Sequence, residues 1–179
     1  AICTVKPFSV PQMEITAMWN AIYPVYLESI KSGGLPLHAA LLELDGRGVL
    51  MAAPSGTGKS TSCDRLPDHW NPLCDDETLA VVDHTGNFMA HPFPTWSRYF
   101  GKGPEKTWNV QRCIPLSGVF FMEQSDDDKA APMGEGEAAL SMTRATSQIC
   151  RKYWRNADEA YQRAFRNHLF GNACRMAKK

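Results

Sequence analysis

A short apolar run that breaks into a glycine-punctuated, lysine-bearing loop leaves a chain few ways to fold, and residues 48–61 are such a run. Gly48-Val49-Leu50-Met51-Ala52 reads as a buried strand, and Ala53-Pro54-Ser55-Gly56-Thr57-Gly58-Lys59-Ser60-Thr61 follows at once. The spacing is that of a phosphate-binding (Walker A) loop. Backbone N–H groups around Gly56 and Gly58 can turn inward on polyphosphate oxygens, Lys59 can reach the β/γ bridge, and the Ser60 hydroxyl can ligate magnesium. A helix starting near Ser60 would aim its positive end at the same charge. The strict pattern wants glycine where this chain has Ala53. The two places that need a positive φ or a close phosphate approach keep their glycines. A glycine-rich hairpin tip would be the bland alternative, but the strand before the loop and the helix stub of residues 59–66, stopped by Pro67, supply the context a true loop requires.

Composition narrows the class. The 179 residues suffice for a core without disulfides, and we expect one domain over residues 1–179. Lysine plus arginine (19) equals aspartate plus glutamate (19), so no net field favours nucleic acid or an anionic membrane. Cys3, Cys63, Cys74, Cys113, Cys150 and Cys174 contain no Cys-x-x-Cys pair, which argues for free buried thiols in a reducing compartment rather than a zinc ribbon. No stretch reaches membrane-spanning length, and Ala1-Ile2-Cys3-Thr4-Val5-Lys6 lacks a signal-peptide layout, so a cytoplasmic location is expected. Oligomeric state is not legible, and a homo-oligomer is left open.

Along the chain, the apolar spacing of residues 11–31 predicts two short helices or one helix kinked at Pro24. Ser32-Gly33-Gly34 is a turn. Residues 37–44 and 48–53 read as strands joined by a hairpin at Asp45-Gly46-Arg47-Gly48. Residues 73–82 and 88–93 form another such pair about His84-Thr85-Gly86-Asn87, and residues 115–124 are the most apolar strand, expected inside the sheet. An acidic surface loop over 125–137 precedes helices at 137–155 and 156–171, the second opened by an Asn156/Glu159 capping box and closed near Gly171.

Asp75 and Asp76 interrupt the apolar run of residues 72–82, which places two adjacent carboxylates at a strand end or bend. Neighbouring side chains face different ways, so one can approach magnesium while the other points at an acceptor. An exposed acidic turn continuing into Glu77 is the bland reading. His38, early in a strand, would alone pass for a structural histidine.

The order Leu37-His38-Ala39, then Gly48-Val49-Leu50 into Ser55-Gly56-Thr57-Gly58-Lys59-Ser60, then Leu73-Cys74-Asp75-Asp76, resembles the catalytic domain of bacterial HPr kinase/phosphorylase. Within that group it is most similar to the small HPr-kinase-related proteins of peptide-modification cassettes such as the SynChlorMet type, and it is similar to lasso-peptide serine kinases. The loop with Asp75-Asp76-Glu77 also resembles the kinase region of the much longer ATP-dependent phosphoenolpyruvate carboxykinase, which shares the fold. The resemblance implies an α/β P-loop domain of the HPr-kinase type, with a mixed sheet and flanking and C-terminal helices. It implies ATP and Mg2+ as cofactors, with Lys59 on the β/γ-phosphates, Ser60 and Asp76 on magnesium, Asp75 taking the acceptor proton, and His38 beside the γ-phosphate or orienting Asp75. The loop from Pro54 through Ser55, Gly56, Thr57, Gly58, Lys59 and Ser60 to Thr61 would hold the nucleotide. The arginine- and glycine-rich signature that follows the aspartates in HPr kinases is missing.

The expected function is transfer of the γ-phosphoryl group to a hydroxyl, a serine of a peptide or small protein. A non-catalytic nucleotide-binding accessory protein of a peptide-maturation system and a small-molecule kinase are the alternatives. Arg98, at the end of the unusual aromatic and proline-rich run from His91 to Arg98, and Arg112 are weaker candidates for a charge clamp. His84 and His91 have no third ligand spaced with them for a metal.

Overall fold

The computed structural model describes residues 11–94 and 108–179, with side chains from residue 16 onward. Trp96 and Arg98 therefore lie outside the described residues, as does Cys3. Helix α1 (Pro11–Lys31) runs unbroken past Pro24. It ends in a turn at Gly33, and the next residue, Gly34, is forced by crowding. A Cβ there would stand 2.3 Å from the Ala80 carbonyl oxygen and 2.7 Å from Ser29 Oγ.

Strand β1 (Leu35–Leu44) is the hub. Asp45 (φ 50°) and Gly46 (φ 76°) turn it into β2 (Arg47–Ala52). Two positive φ values in a two-residue loop match the right-handed twist of a hairpin. The register runs from Leu44 opposite Arg47 to Ala39 opposite Ala52. Past residues 53–58 come α2 (Lys59–Asp64), β3 (Asn71–Cys74), β4 (Glu77–Val82), β5 (Phe88–Pro92), β6 (Ile114–Phe121), α3 (Glu135–Trp154) and α4 (Glu159–Ala177).

The expected single strand over 73–82 is two. β3 and β4 lie along the same edge of β1, opposite its residues 41–43 and 35–38 respectively, with Asp75 and Asp76 at the bend between them. β5 continues the sheet antiparallel to β4, and β6 pairs with β5 through Ile114 and Pro115. Beyond that point β6 runs parallel to β2, and because β2 also pairs with β1 the strands β1, β4, β5, β6 and β2 follow one another round a ring. The result is a mixed α/β architecture with a six-stranded mixed sheet. β6 is an inner strand, as expected, although its Phe120 is exposed.

Alternation along β1 sorts its side chains. Leu35, Leu37, Ala39 and Leu41 enter the main core with Tyr26 and Ile30 of α1 and the inner faces of α3 and α4. Ala40 and Leu42 enter a smaller cluster with Cys63 of α2. The helices α3 and α4 pack together and bring Ala139, Met142, Ala145, Leu169 and Ala173 into the main core.

Two helix ends differ from expectation. The N-cap of α4 is Asp158, accepting from the Tyr161 N–H, rather than Asn156. The helix also runs through Gly171 to Ala177, because the buried Asn172, Ala173 and Met176 beyond that glycine gain more by packing than the glycine costs. The thiol expectation holds for Cys63, Cys74 and Cys150, which are buried and in no disulfide, but Cys113 is exposed. Burial pushes the Cys74 thiol up to about 12, which leaves it inert. No helix among the described residues is long and apolar enough to cross a membrane.

Candidate functional site

The loop leaves the C-terminal end of β2, where Ala52 still accepts a bond from the Met122 N–H just past β6. Ala53 is buried, so a methyl group is accommodated where the strict pattern has glycine. Pro54, Ser55 and Gly56 are exposed, and Thr57 donates its N–H to Pro54 O at 3.3 Å. Gly56 (φ 82°) and Gly58 (φ 113°) both hold the left-handed backbone. A Cβ at either would meet nothing within 4 Å, so backbone conformation alone requires glycine there.

α2 begins at Lys59 with Gly58 as its N-cap and no side-chain cap. The amides of its first turn, which have no partner within any helix, are thus left as donors for an anion. At six residues α2 is under two turns long, so these amides rather than an extended macrodipole would carry the attraction. Ser60 is half-buried and Thr61 exposed.

Lys59 does not extend into solvent. It is 6% exposed, and its Nζ donates to Ala53 O at 2.9 Å, across the base of the loop. Burial lowers its pKa, and the nearby carboxylates of Asp76 and Asp75 oppose that shift. The cation is thereby held between the loop and the β3–β4 bend.

At that bend the two aspartates diverge. Asp75 is 1% exposed, whereas the Asp76 side chain is 30% exposed. Asp76 Oδ1 lies 2.9 Å from His38 Nε2. The opposite ring nitrogen, Nδ1, meets the side-chain amide of Gln148 on α3. Burial works against protonation of His38, and Lys59 adds to that, but the hydrogen bonds to Asp76 and Gln148 outweigh both and leave its pKa raised. His38, Lys59, Asp75 and Asp76, drawn from three separate stretches of sequence, thus form one neighbourhood.

Beside it lies a second group. The Tyr26 hydroxyl donates to Glu77 Oε2, and Glu77, read from sequence as the continuation of an acidic turn, is half-buried with its pKa raised by burial. Lys152 Nζ sits 4.3 Å from the centre of the Trp19 ring and 5.0 Å from that of Tyr153. Burial lowers its pKa against the pull of Glu77, Cys150 and Asp76. Neither Gln148 nor Lys152 was found from sequence. They are one helical turn apart on α3, and their partners on the sheet and bend lie far upstream, as with Gln148 and His38, 110 residues apart. Arg112, a candidate clamp in the sequence, is instead paired with Glu43. His91, on β5, carries a pKa lowered by burial.

The donor set suits a hard cation. Among the described residues no group of three His, Cys, Asp or Glu side chains could hold a metal by itself. A magnesium ion would need only one or two carboxylates here, with phosphate and water completing its shell. Asp76, half-open and adjoining the loop's lysine, fits that requirement.

The model of the family described as "SynChlorMet cassette protein ScmC" matches residues 1–179. The chain belongs to the SynChlorMet cassette protein ScmC family. The small cassette-type relatives singled out from the motifs are therefore the right group. This ScmC-family chain is also 31% identical over 91 residues to the HPr kinase/phosphorylase of Mycoplasmopsis pulmonis (strain UAB CTIP). The matched stretch is 51% of this chain and 26% of the relative, so the chain spans about a quarter of the curated relative's length. The ScmC-family chain is thus related in part to a kinase-type enzyme.

Proposed function

We propose that the protein is an ATP- and magnesium-dependent kinase that transfers the γ-phosphoryl group to a hydroxyl, with a serine of a peptide or small protein as the acceptor. One observation carries this reading: His38, Lys59, Asp75 and Asp76 gather beside a loop whose Gly56 and Gly58 hold the left-handed backbone that a phosphate cradle would need. Partial kinship to an HPr kinase/phosphorylase supports the reaction class. The family's printed description, a cassette protein, supports a partner encoded in the same system.

Phosphoryl transfer needs positioning and charge neutralisation more than covalent chemistry. Magnesium, when bound, would neutralise charge on the phosphate oxygens. Lys59 and the amides from Gly58 onward would fix the phosphates, and residues 54–61 would form the nucleotide loop. Ser60 and Asp76 would hold the metal, Asp75 would take the proton from the acceptor hydroxyl, and His38 would orient the aspartates.

A second reading exchanges the two carboxylates. Asp75 is 1% exposed while Asp76 is open and bonded to His38, an arrangement that suits Asp76 as the proton acceptor and Asp75 as the buried counter-charge of Lys59. Incubation with MgATP and a randomised serine-peptide library, read by mass spectrometry, tests the proposal. Phosphorylated peptides support it, and nucleotide binding without transfer to any peptide would favour the accessory role.

A further inference from the structure

We propose that Gln148, on the exposed side of α3, is a positioning residue that fixes the imidazole of His38 for its contact with Asp76. Asp76, when ionised, offers only acceptor oxygens, so the ring nitrogen facing it, Nε2, must carry a hydrogen. That leaves Nδ1 to be satisfied from the opposite side, where the Gln148 amide stands. An amide suits this place because it can serve Nδ1 in either state. Its oxygen accepts from an Nδ1–H, and its nitrogen donates to a bare Nδ1. In both arrangements the Nε2–H remains aimed at Asp76 Oδ1. The ring is therefore gripped at both nitrogens, by β1's bend partner on one side and by α3 on the other, and cannot turn over about its Cβ–Cγ bond without breaking both contacts.

The placement has a consequence for the site. His38 lies on β1 and Asp76 at the bend between β3 and β4, whereas Gln148 belongs to the helix that follows the exposed loop after β6. The orientation of the histidine thus depends on α3 being docked, and a movement of α3 would be felt at Asp76. Core packing does not explain the contact. Gln148 is exposed, while its neighbours Ile149 and Cys150 are buried.

The kinetic part of this inference rests on the kinase reading above; the ring geometry does not. The test uses the full chain labelled with 15N at its histidine rings, without nucleotide, as wild type, Gln148→Leu and Gln148→Glu, with His38→Gln to assign the signals. Because Gln148 is exposed, both variants should keep the wild-type melting temperature. In the wild type, His38 should give two distinct, hydrogen-bonded ring-nitrogen signals. Gln148→Leu should move the Nδ1 signal and broaden Nε2, whereas Gln148→Glu, which keeps an acceptor at that point, should restore a single ring orientation.

In the transfer assay Gln148→Leu should lower kcat roughly threefold to tenfold, the range of one partly solvated hydrogen bond. KM for ATP should be unchanged, and Gln148→Glu should recover most of the loss. Unchanged ring signals in Gln148→Leu would overturn the proposal, as would an equal loss in both variants. A wild type without transfer activity would sink the kinase reading, while the ring signals would still decide the role of Gln148.

Discussion

Replacing Asn172 tests how the fold fixes the strand that carries His38. Its side chain is 1% exposed, and Nδ2 donates to Ile30 O at 2.8 Å and to Gly34 O at 2.9 Å, tying α4 to the junction between α1 and β1. Oδ1 accepts from Arg175. Each donation is worth about 0.5–1.5 kcal/mol net; Ile30 O would keep the Gly33 N–H, whereas loss of the bond to Gly34 O costs about 1–3 kcal/mol if that carbonyl is left buried without a partner. Asn172→Ala should therefore destabilise by roughly 2–4 kcal/mol, allowing for partial hydration of the junction.

For a chain of this length that loss lowers the melting temperature by about 5–15 °C and should appear as a matching drop in the urea midpoint. Asn172→Leu separates the causes, since it keeps the volume and removes the donors. If the hydrogen bonds matter, leucine should be no better than alanine, and amide exchange should rise at Gly34 and Leu35 in both variants. Wild-type stability in Asn172→Leu would refute the reasoning, because packing would then account for the contribution of Asn172.

Gly58 and Gly171 should respond to alanine with opposite signs. Gly58→Ala forces a side chain onto φ 113° and should cost about 1–2 kcal/mol, whereas Gly171→Ala, inside α4 with nothing within 4 Å of the new methyl, should stabilise by about 0.5–1 kcal/mol. Urea titration measures both, and a shared sign would be contrary. Burial lowers the His91 pKa below its ordinary 6.5, so the unfolded chain binds this proton more readily. Its stability contribution is then intact above about pH 7 and erodes as pH falls through 6.5. His91→Gln should flatten the pH dependence of melting between about pH 7 and 5, and an unchanged slope would count against the assignment. Lys59→Met should weaken MgATP binding roughly tenfold to a hundredfold in calorimetry, as loss of one charge-assisted phosphate contact implies, and a change under about twofold would remove Lys59 from the phosphates.

What the sequence made legible was local. The glycine loop between β2 and α2, the Asp45-Gly46 hairpin and the carboxylate bend each follow from residues within one short window, where glycine conformation and strand alternation decide the outcome. The parallel pairing of β2 with β6, which closes the ring, is not local, because nothing in either strand names a partner some seventy positions away. Gln148 was missed for the same reason, since an exposed glutamine on a helix carries no signal until the fold sets it against His38. Gly171 misled because a local stop signal was overridden by tertiary packing of α4. The different burial of Asp75 and Asp76 depends on how the bend seats against β1, which alternation alone does not resolve.

Paired measurements on Asp75→Asn bear most directly on the proposed phosphoryl-transfer site. Calorimetry would give MgATP affinity, and mass spectrometry of serine peptides would give the transfer rate, both on the same preparation. With Asp75 as the base, affinity should stay within about threefold of wild type while transfer falls by at least about a hundredfold, the scale of a lost general base. Normal transfer by Asp75→Asn would contradict that role.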